Sequence, residues 1–174
     1  MIASIDMTAQ TKPNNKKVLI AYYSHSGNTR EVANQIRAIT GGDIFEIQPV
    51  NNYPSEYQTL VDQAQKEINS DYKPAIKNKI KDIAGYDVIF IGSPCWWSTI
   101  APPVATFLSD YNLSGKKIAP FMTHEGSRMG HSISDIKKLC PKSTVLEGLP
   151  IRGGSVKNSQ SEVSKWIQKI GINK

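Results

Sequence analysis

The sequence predicts an α/β protein: a three-layer, doubly wound sheet of five parallel strands in the order 2-1-3-4-5, with helices on both faces. Three observations predict it. Apolar strand-like runs alternate with segments of helical period along the whole chain. The runs are nearly continuous rather than alternating apolar and polar, the pattern of strands buried on both faces of a parallel sheet. The runs also break into glycine- and hydroxyl-rich segments at their carboxyl ends, where a doubly wound sheet keeps its ligand site.

Each element follows in order. The first strand is expected over residues 17–24, with Val18, Leu19, Ile20 and Ala21 as its apolar run, and the others over 44–48, 87–93, 117–123 and 144–149. Between them, Val32, Ile36 and Ile39 recur at helical spacing, as do Leu60, Val61, Ala64 and Ile68, and then Val104, Phe107 and Leu108. Ile133, Ile136 and Leu139 mark the fourth helix, and Val163, Trp166, Ile167 and Ile170 the last. Gly41-Gly42 stops the first helix, Pro102-Pro103 opens the third and Pro141 follows the fourth.

A length of 174 residues with 39% hydrophobic content fits one domain with a full core, expected over 16–174 behind a flexible leader at 1–15. The leader lacks the charged-then-apolar layout of a signal peptide, and no stretch is apolar enough to span a membrane. Two cysteines in different segments give neither a disulfide framework nor a metal spacing, so a reducing, cytoplasmic setting is expected. The three histidines lack the close helical pairing of a zinc site, so no metal is expected. A net charge of +6 invites comparison with nucleic-acid binders. The lysines are scattered, however: Lys77, Lys79 and Lys81 form the densest run, and Lys116-Lys117 and Lys137-Lys138 are pairs, which reads as a solvated surface without a nucleic-acid partner.

The first strand ends in Tyr22-Tyr23-Ser24-His25-Ser26-Gly27-Asn28-Thr29-Arg30. A strand running through a hydroxyl-rich loop into a helix N-terminus gathers side-chain donors and free backbone N–H groups around one point, which suits a phosphate monoester. The same residues also make an ordinary N-cap and turn, and the sequence alone leaves both readings open. The loop lacks the Gly-Lys-Ser/Thr ending of a P-loop and the spaced glycines of a dinucleotide fingerprint, which turns the reading away from ATP and NAD. The third strand runs into Gly92-Ser93-Pro94-Cys95-Trp96-Trp97-Ser98-Thr99, placing two of the chain's three tryptophans in an expected loop. Trp is costly to leave in water, so a flat ligand or a neighbouring helix should cover these rings. The fourth strand ends in Thr123-His124-Glu125-Gly126-Ser127-Arg128-Met129-Gly130, a loop placed to close the same pocket.

Ser24-x-Ser26-Gly27-Asn28-Thr29 resembles the phosphate loop of flavodoxins, Thr/Ser-x-Thr/Ser-Gly-x-Thr, and Ser93-Pro94-x-Trp96 resembles their loop after the third strand. With Tyr53-Pro54-x-x-Tyr57 and Thr-His-Glu-Gly-Ser, the combination resembles a flavodoxin-like family of short bacterial proteins, from Lys17 to the last helix. It implies a flavodoxin-like fold with FMN at the switch point between the first and third strands. It also implies cofactor contacts from Ser24, His25, Ser26, Gly27, Asn28 and Thr29 at the phosphate. Around the ring it implies Pro94, Cys95, Trp96 and Trp97, together with Thr123, His124, Glu125 and Gly126. Trp96 is then the ring contact, Cys95 a small residue at the flavin edge, and His124 either a proton donor or a residue that fixes its loop. Tyr53 and Tyr57 read as part of the connection before the second helix, and Arg30 as facing solvent.

The function implied is that of an FMN-binding electron-transport flavoprotein serving a redox partner protein or a small electron acceptor. The chain departs from the family pattern in two ways. It is basic where electron-shuttling flavodoxins are acidic, which counts against strong low-potential donation, and Trp97, Ser98 and Thr99 stand where many place Gly or Asn beside the ring, which implies weak semiquinone accumulation. These departures feed the alternative of an oxidoreductase, an NAD(P)H-dependent FMN quinone reductase. A non-catalytic binding or regulatory module on the same fold is the third reading, but the acidic cluster of a receiver domain is missing, as is a hydrolase's nucleophile elbow.

Overall fold

The computed structural model describes residues 15–172, so the expected leader at 1–15 lies outside them except for Asn15. The chain runs β1 (Val18–Tyr22), α1 (Asn28–Thr40), β2 (Asp43–Glu46), α2 (Tyr57–Asn69), β3 (Val88–Trp96), β4 (Thr99–Ile100), α3 (Pro102–Asp110), β5 (Lys117–His124), α4 (Ser132–Leu139), β6 (Thr144–Val145), β7 (Leu149–Arg152) and α5 (Gln160–Lys169). The sheet order is β2-β1-β3-β5-β6, with β7 continuing the outer strand beside β5 and β4 folded back on β3. All pairs except β3 with β4 are parallel. Counting the outer strand once and leaving out the folded-back β4, this is the expected 2-1-3-4-5 order.

Strand geometry sends alternate residues to opposite faces, and the two cores divide accordingly. Leu19 and Ala21 of β1 face the side covered by α2, α3 and α4, packing with Leu60, Val104, Phe107 and Ile136. Val18, Ile20 and Tyr22 face α1 and α5, against Val32, Ile36, Val163 and Trp166. Each fully buried Phe or Leu contributes about 1.5–3 kcal/mol of transfer free energy, which is why these apolar runs fix the three layers.

Three local features differ from the sequence expectation. The segment after residue 93 is not a loop: β3 continues to Trp96 and pairs antiparallel with β4, Cys95 opposite Ile100 and Trp96 opposite Thr99. Having run past the end of the parallel sheet, this stretch satisfies its backbone groups by turning back on itself. The last strand is also longer than expected and interrupted. Ile118 pairs with Val145 and Phe121 with Leu149, so three steps along β5 match four on the outer strand, the spacing of a bulge. Pairing then continues until Arg152 stands opposite His124 at the ligand end of the sheet. Lys116, read as solvated, is instead buried: its ammonium donates to the carbonyls of Ala84 (3.0 Å) and Tyr86 (2.6 Å), tying the turn before β3 to β5.

Candidate functional site

At the carboxyl end of β1 the chain enters α1 through Gly27, whose φ of 96° lies in the left-handed region and which gives the helix no side-chain cap. The capping atom comes from further back: Ser24 Oγ accepts the N–H of Gly27 at 3.1 Å and of Arg30 at 3.3 Å. The turn and cap reading of the loop therefore holds. The lone pairs of Ser24 serve the turn, and the first N–H groups of the helix, on Asn28 and Thr29, have no backbone acceptor among the described residues. Thr29 directs its hydroxyl elsewhere, sharing a buried 2.8 Å hydrogen bond with Thr123 Oγ1 that joins the first loop to the end of β5. Arg30, expected to face solvent, forms an ion pair with Glu46, which also accepts from the Tyr22 hydroxyl at 3.4 Å. The donors at the loop are consequently neutral.

The β3–β4 hairpin turns on two residues, Trp97 (φ 49°) and Ser98 (φ 63°). Two-residue hairpins favour turns with both φ positive, but ordinarily place Asn-Gly there because side chains are strained in that region. Replacing Trp97-Ser98 with Asn-Gly is expected to stabilise the protein by about 1–2 kcal/mol, read as a higher urea midpoint with an unchanged slope; a lower midpoint would contradict it. The two tryptophans divide their roles. Trp96 packs into an aromatic cluster, edge-on to Tyr53 at 5.0 Å, Tyr23 at 5.6 Å and His25 at 6.0 Å between ring centroids. Tyr53 is buried in this cluster and donates its hydroxyl to Glu67, and burial followed by that carboxylate pushes its phenol well above the usual range. Trp97 is exposed, with its indole N–H donating to the Val61 carbonyl of α2 at 3.0 Å.

The third loop carries the charges. His124 is buried, and its Nδ1 has no hydrogen-bond partner among the described residues. Burial, followed by the nearby Arg128 and Arg152 guanidinium groups, lowers its pKa, which favours the neutral imidazole. Arg152 donates to the Glu125 carbonyl at 2.9 Å, steadying the loop. Gly153 follows, with the side-chain ends of Glu125 and Asn28 against it: a Cβ there would lie 2.2 Å from Glu125 Oε1 and 2.8 Å from Asn28 Nδ2. Arg152 and Gly153 were not foreseen from sequence. The only available signal was the Arg-Gly-Gly after the last strand, and the bulge hid its register.

The three loops enclose one cavity of about 560 Å³. Of the residues expected to hold the cofactor, His25, Ser26, Asn28, Pro94, Cys95, Trp96, Trp97, Thr123, His124, Glu125 and Gly126 line it. Ser24, Gly27 and Thr29 lie behind the wall, shaping the loop. Residues of α2, with Tyr57 at its start, complete the lining. The donor set fits a phosphate at one end, and the aromatic hairpin and the orphaned His124 nitrogen fit a flat polar ring at the other. Burial raises the Cys95 thiol and pushes Cys140 up to about 11. At pH 8 a thiol reagent is therefore expected to spare Cys140 in the folded protein, to react slowly with Cys95, and to titrate both in urea; native labelling of Cys140 would contradict this.

Fold and cavity together define a class, the doubly wound α/β proteins that hold a ligand beyond the carboxyl ends of their strands. Within that class, the family model described as flavodoxin matches residues 17–170, and the chain belongs to that family. A crystal structure from Bacteroides eggerthii, described as a flavoprotein, is 32% identical, with 90% of this chain and 99% of that one covered and a TM-score of 0.80. A flavoprotein of Lactobacillus acidophilus, solved in complex with FMN, is 30% identical over 87% of this chain and 98% of its own, with a TM-score of 0.69. Flavodoxin 2 of Bacillus cereus, at 19% identity, 88% and 99% coverage and a TM-score of 0.52, shares the fold. No curated protein matches the chain. Among the described residues no helix is long and apolar enough to cross a membrane.

Proposed function

We propose that the chain is an FMN redox protein that passes electrons between a partner and an acceptor through non-covalently held FMN. The observation that carries this reading is the convergence of three loops on one cavity, with neutral phosphate donors at one end and an aromatic wall at the other. FMN supplies the electron chemistry when bound. The Ser26 hydroxyl, the Asn28 side chain and the N–H groups of Asn28 and Thr29 would hold the phosphate, with the Ser24 hydroxyl capping the turn behind them. The hairpin residues Pro94 to Trp97 and the third-loop residues Thr123 to Gly126 would flank the ring, and His124, with its unpartnered Nδ1, would offer the ring a hydrogen-bonding group. An oxidoreductase driven by NAD(P)H is the second reading. It is favoured by Arg128 and Arg152, which bring positive charge to the His124 end where an anionic donor would dock.

The absorption spectrum tests the first claim: a yellow protein that releases FMN on heating supports it, and failure to take up added FMN refutes it. Anaerobic mixing of the loaded protein with NADPH or NADH separates the two readings. Rapid bleaching identifies a reductase, and its absence identifies a carrier reduced by another protein.

A further inference from the structure

A second cavity, of about 400 Å³, lies among α2, α3 and α4 and shares no lining residue with the first. Its floor is apolar, made by Ile68, Ile100, Pro102, Ala105 and Leu139. Around that floor stand Glu67, Asp71 and Tyr72 at the end of α2, Thr99 of β4, and His131, Asp135 and Lys138 along α4. The volume falls within the range of small-molecule sites, about 300–1,000 Å³, whose usual composition is an apolar surface with a few placed polar groups.

The charges of this wall are matched except at one place. Asp135 accepts from Thr99 Oγ1 at 2.6 Å, meets His131 Nδ1 at 2.6 Å and pairs with Lys138 at 3.4 Å. Asp71 pairs with Lys73 at 2.9 Å. Glu67 is half-buried and forms no ion pair among the described residues. Its two oxygens accept from neutral donors, the Tyr53 hydroxyl and the Gln63 amide at 2.9 Å. A partly buried charge without a counter-ion is costly. Glu67 also lies in the last turn of α2, where the helix presents the negative end of its dipole, so carboxylate and helix end both favour a cation at this point. Lys66 of the same turn does not line the cavity.

An anion finds nothing comparable. The helix N-terminus that meets the cavity is that of α3, and its first two residues, Pro102 and Pro103, have no N–H to offer. His131 and Lys138, the basic side chains of the wall, are already engaged by Asp135. Tyr72 is 54% exposed and sets an aromatic ring at the cavity, a surface that attracts an ammonium group.

We infer that this second cavity binds a small organic ammonium ion, with its charge at Glu67 and Tyr72 and its apolar body on the floor between α3 and α4. The site is independent of the FMN reading, since it uses other residues and its test needs no flavin.

Equilibrium dialysis of 2-phenylethylamine, a cation at neutral pH, against the purified protein tests it. Saturable binding of one equivalent is expected, with a dissociation constant below about 1 mM and an affinity at least about tenfold above that of 2-phenylethanol, while 3-phenylpropionate should not bind. This series isolates the charge in the wild-type protein, without any variant. Glu67→Gln keeps an oxygen to accept from Tyr53 and removes the charge, and should weaken the amine about tenfold while leaving 2-phenylethanol unchanged. Tyr72→Ala should weaken the amine about fivefold, and Tyr72→Phe should hold it within about twofold. Absence of saturable amine binding, equal affinity for amine and alcohol, or amine binding unmoved by Glu67→Gln overturns the inference. Tighter binding of Nα-acetyl-lysine amide than of 2-phenylethylamine also overturns it, because the cavity is then fitted to the lysine of a partner protein. A protein that binds the amine but takes up no FMN refutes the function proposed above and leaves this site standing.

Discussion

Ser26→Asp is expected to weaken FMN binding by about 100-fold or more, equivalent to about 2.8 kcal/mol, while leaving riboflavin binding unchanged. Ser26 is exposed, lines the cavity and belongs to the turn between β1 and α1, so the substitution disturbs no packing. What it adds is a carboxylate where the phosphate must sit. Two unit charges about 4 Å apart at an effective dielectric of about 20 repel by about 4 kcal/mol, and the phosphate carries more than one. No neighbouring cation offsets the repulsion, because Arg30, the only cationic residue of the loop, is ion-paired with Glu46. Riboflavin has the same ring without the phosphate, so it isolates the effect to the first loop. Quenching of flavin fluorescence on titration measures both affinities. An FMN affinity within about threefold of wild type would remove the phosphate from this loop and, with it, the basis of the proposed function.

The sequence carries those parts of the protein that are decided by local chemistry. Ile20, Phe90 and Ala119 on one face and Ile89, Ile91 and Ile118 on the other sit in uninterrupted apolar runs and are fully buried in the central strands, so burial on both faces was readable from the sequence pattern. The three loops were readable for a related reason, since a hydroxyl cluster, a tryptophan pair and a glycine-bounded turn each break an apolar run at its carboxyl end. Direction was not readable. Thr29 belongs to the hydroxyl cluster, yet its side chain bonds to Thr123, a partner 94 residues away that no local pattern specifies. The hairpin was hidden because Trp97-Ser98 does not have the turn chemistry that announces one; its φ values are imposed by packing against α2 and the third loop. Arg152 was missed because a single extra residue in the outer strand carries it into register with His124. Lys116 is charged and adjacent to another lysine, and only the tertiary placement of two carbonyls makes its burial tolerable.

Gly130→Ala is expected to cost about 3 kcal/mol of stability and to lower FMN affinity with it, although Gly130 itself touches no part of the cavity. Its φ of 50° strains any residue with a side chain, and a Cβ there would lie 2.1 Å from the carbonyl oxygen of Ser98 and 2.6 Å from its carbon. Those are backbone atoms of the hairpin turn and cannot swing aside as a flexible side chain would. The same Ser98 oxygen accepts the His131 N–H at 2.8 Å, so relief of the clash breaks the bond that joins the start of α4 to the hairpin. Separation there moves Trp97 and Ser98 away from the third loop, and these two segments are opposite walls of the cavity. Gly126→Ala in the same loop provides the control. A Cβ at Gly126 meets nothing within 4 Å and its φ is not positive, so its stability should stay within about 0.5 kcal/mol of wild type. Urea unfolding of both variants decides the matter. A Gly130→Ala protein as stable as Gly126→Ala would mean that the third loop does not bear on the hairpin turn, and the cavity would lose the contact that holds its two walls at a fixed separation.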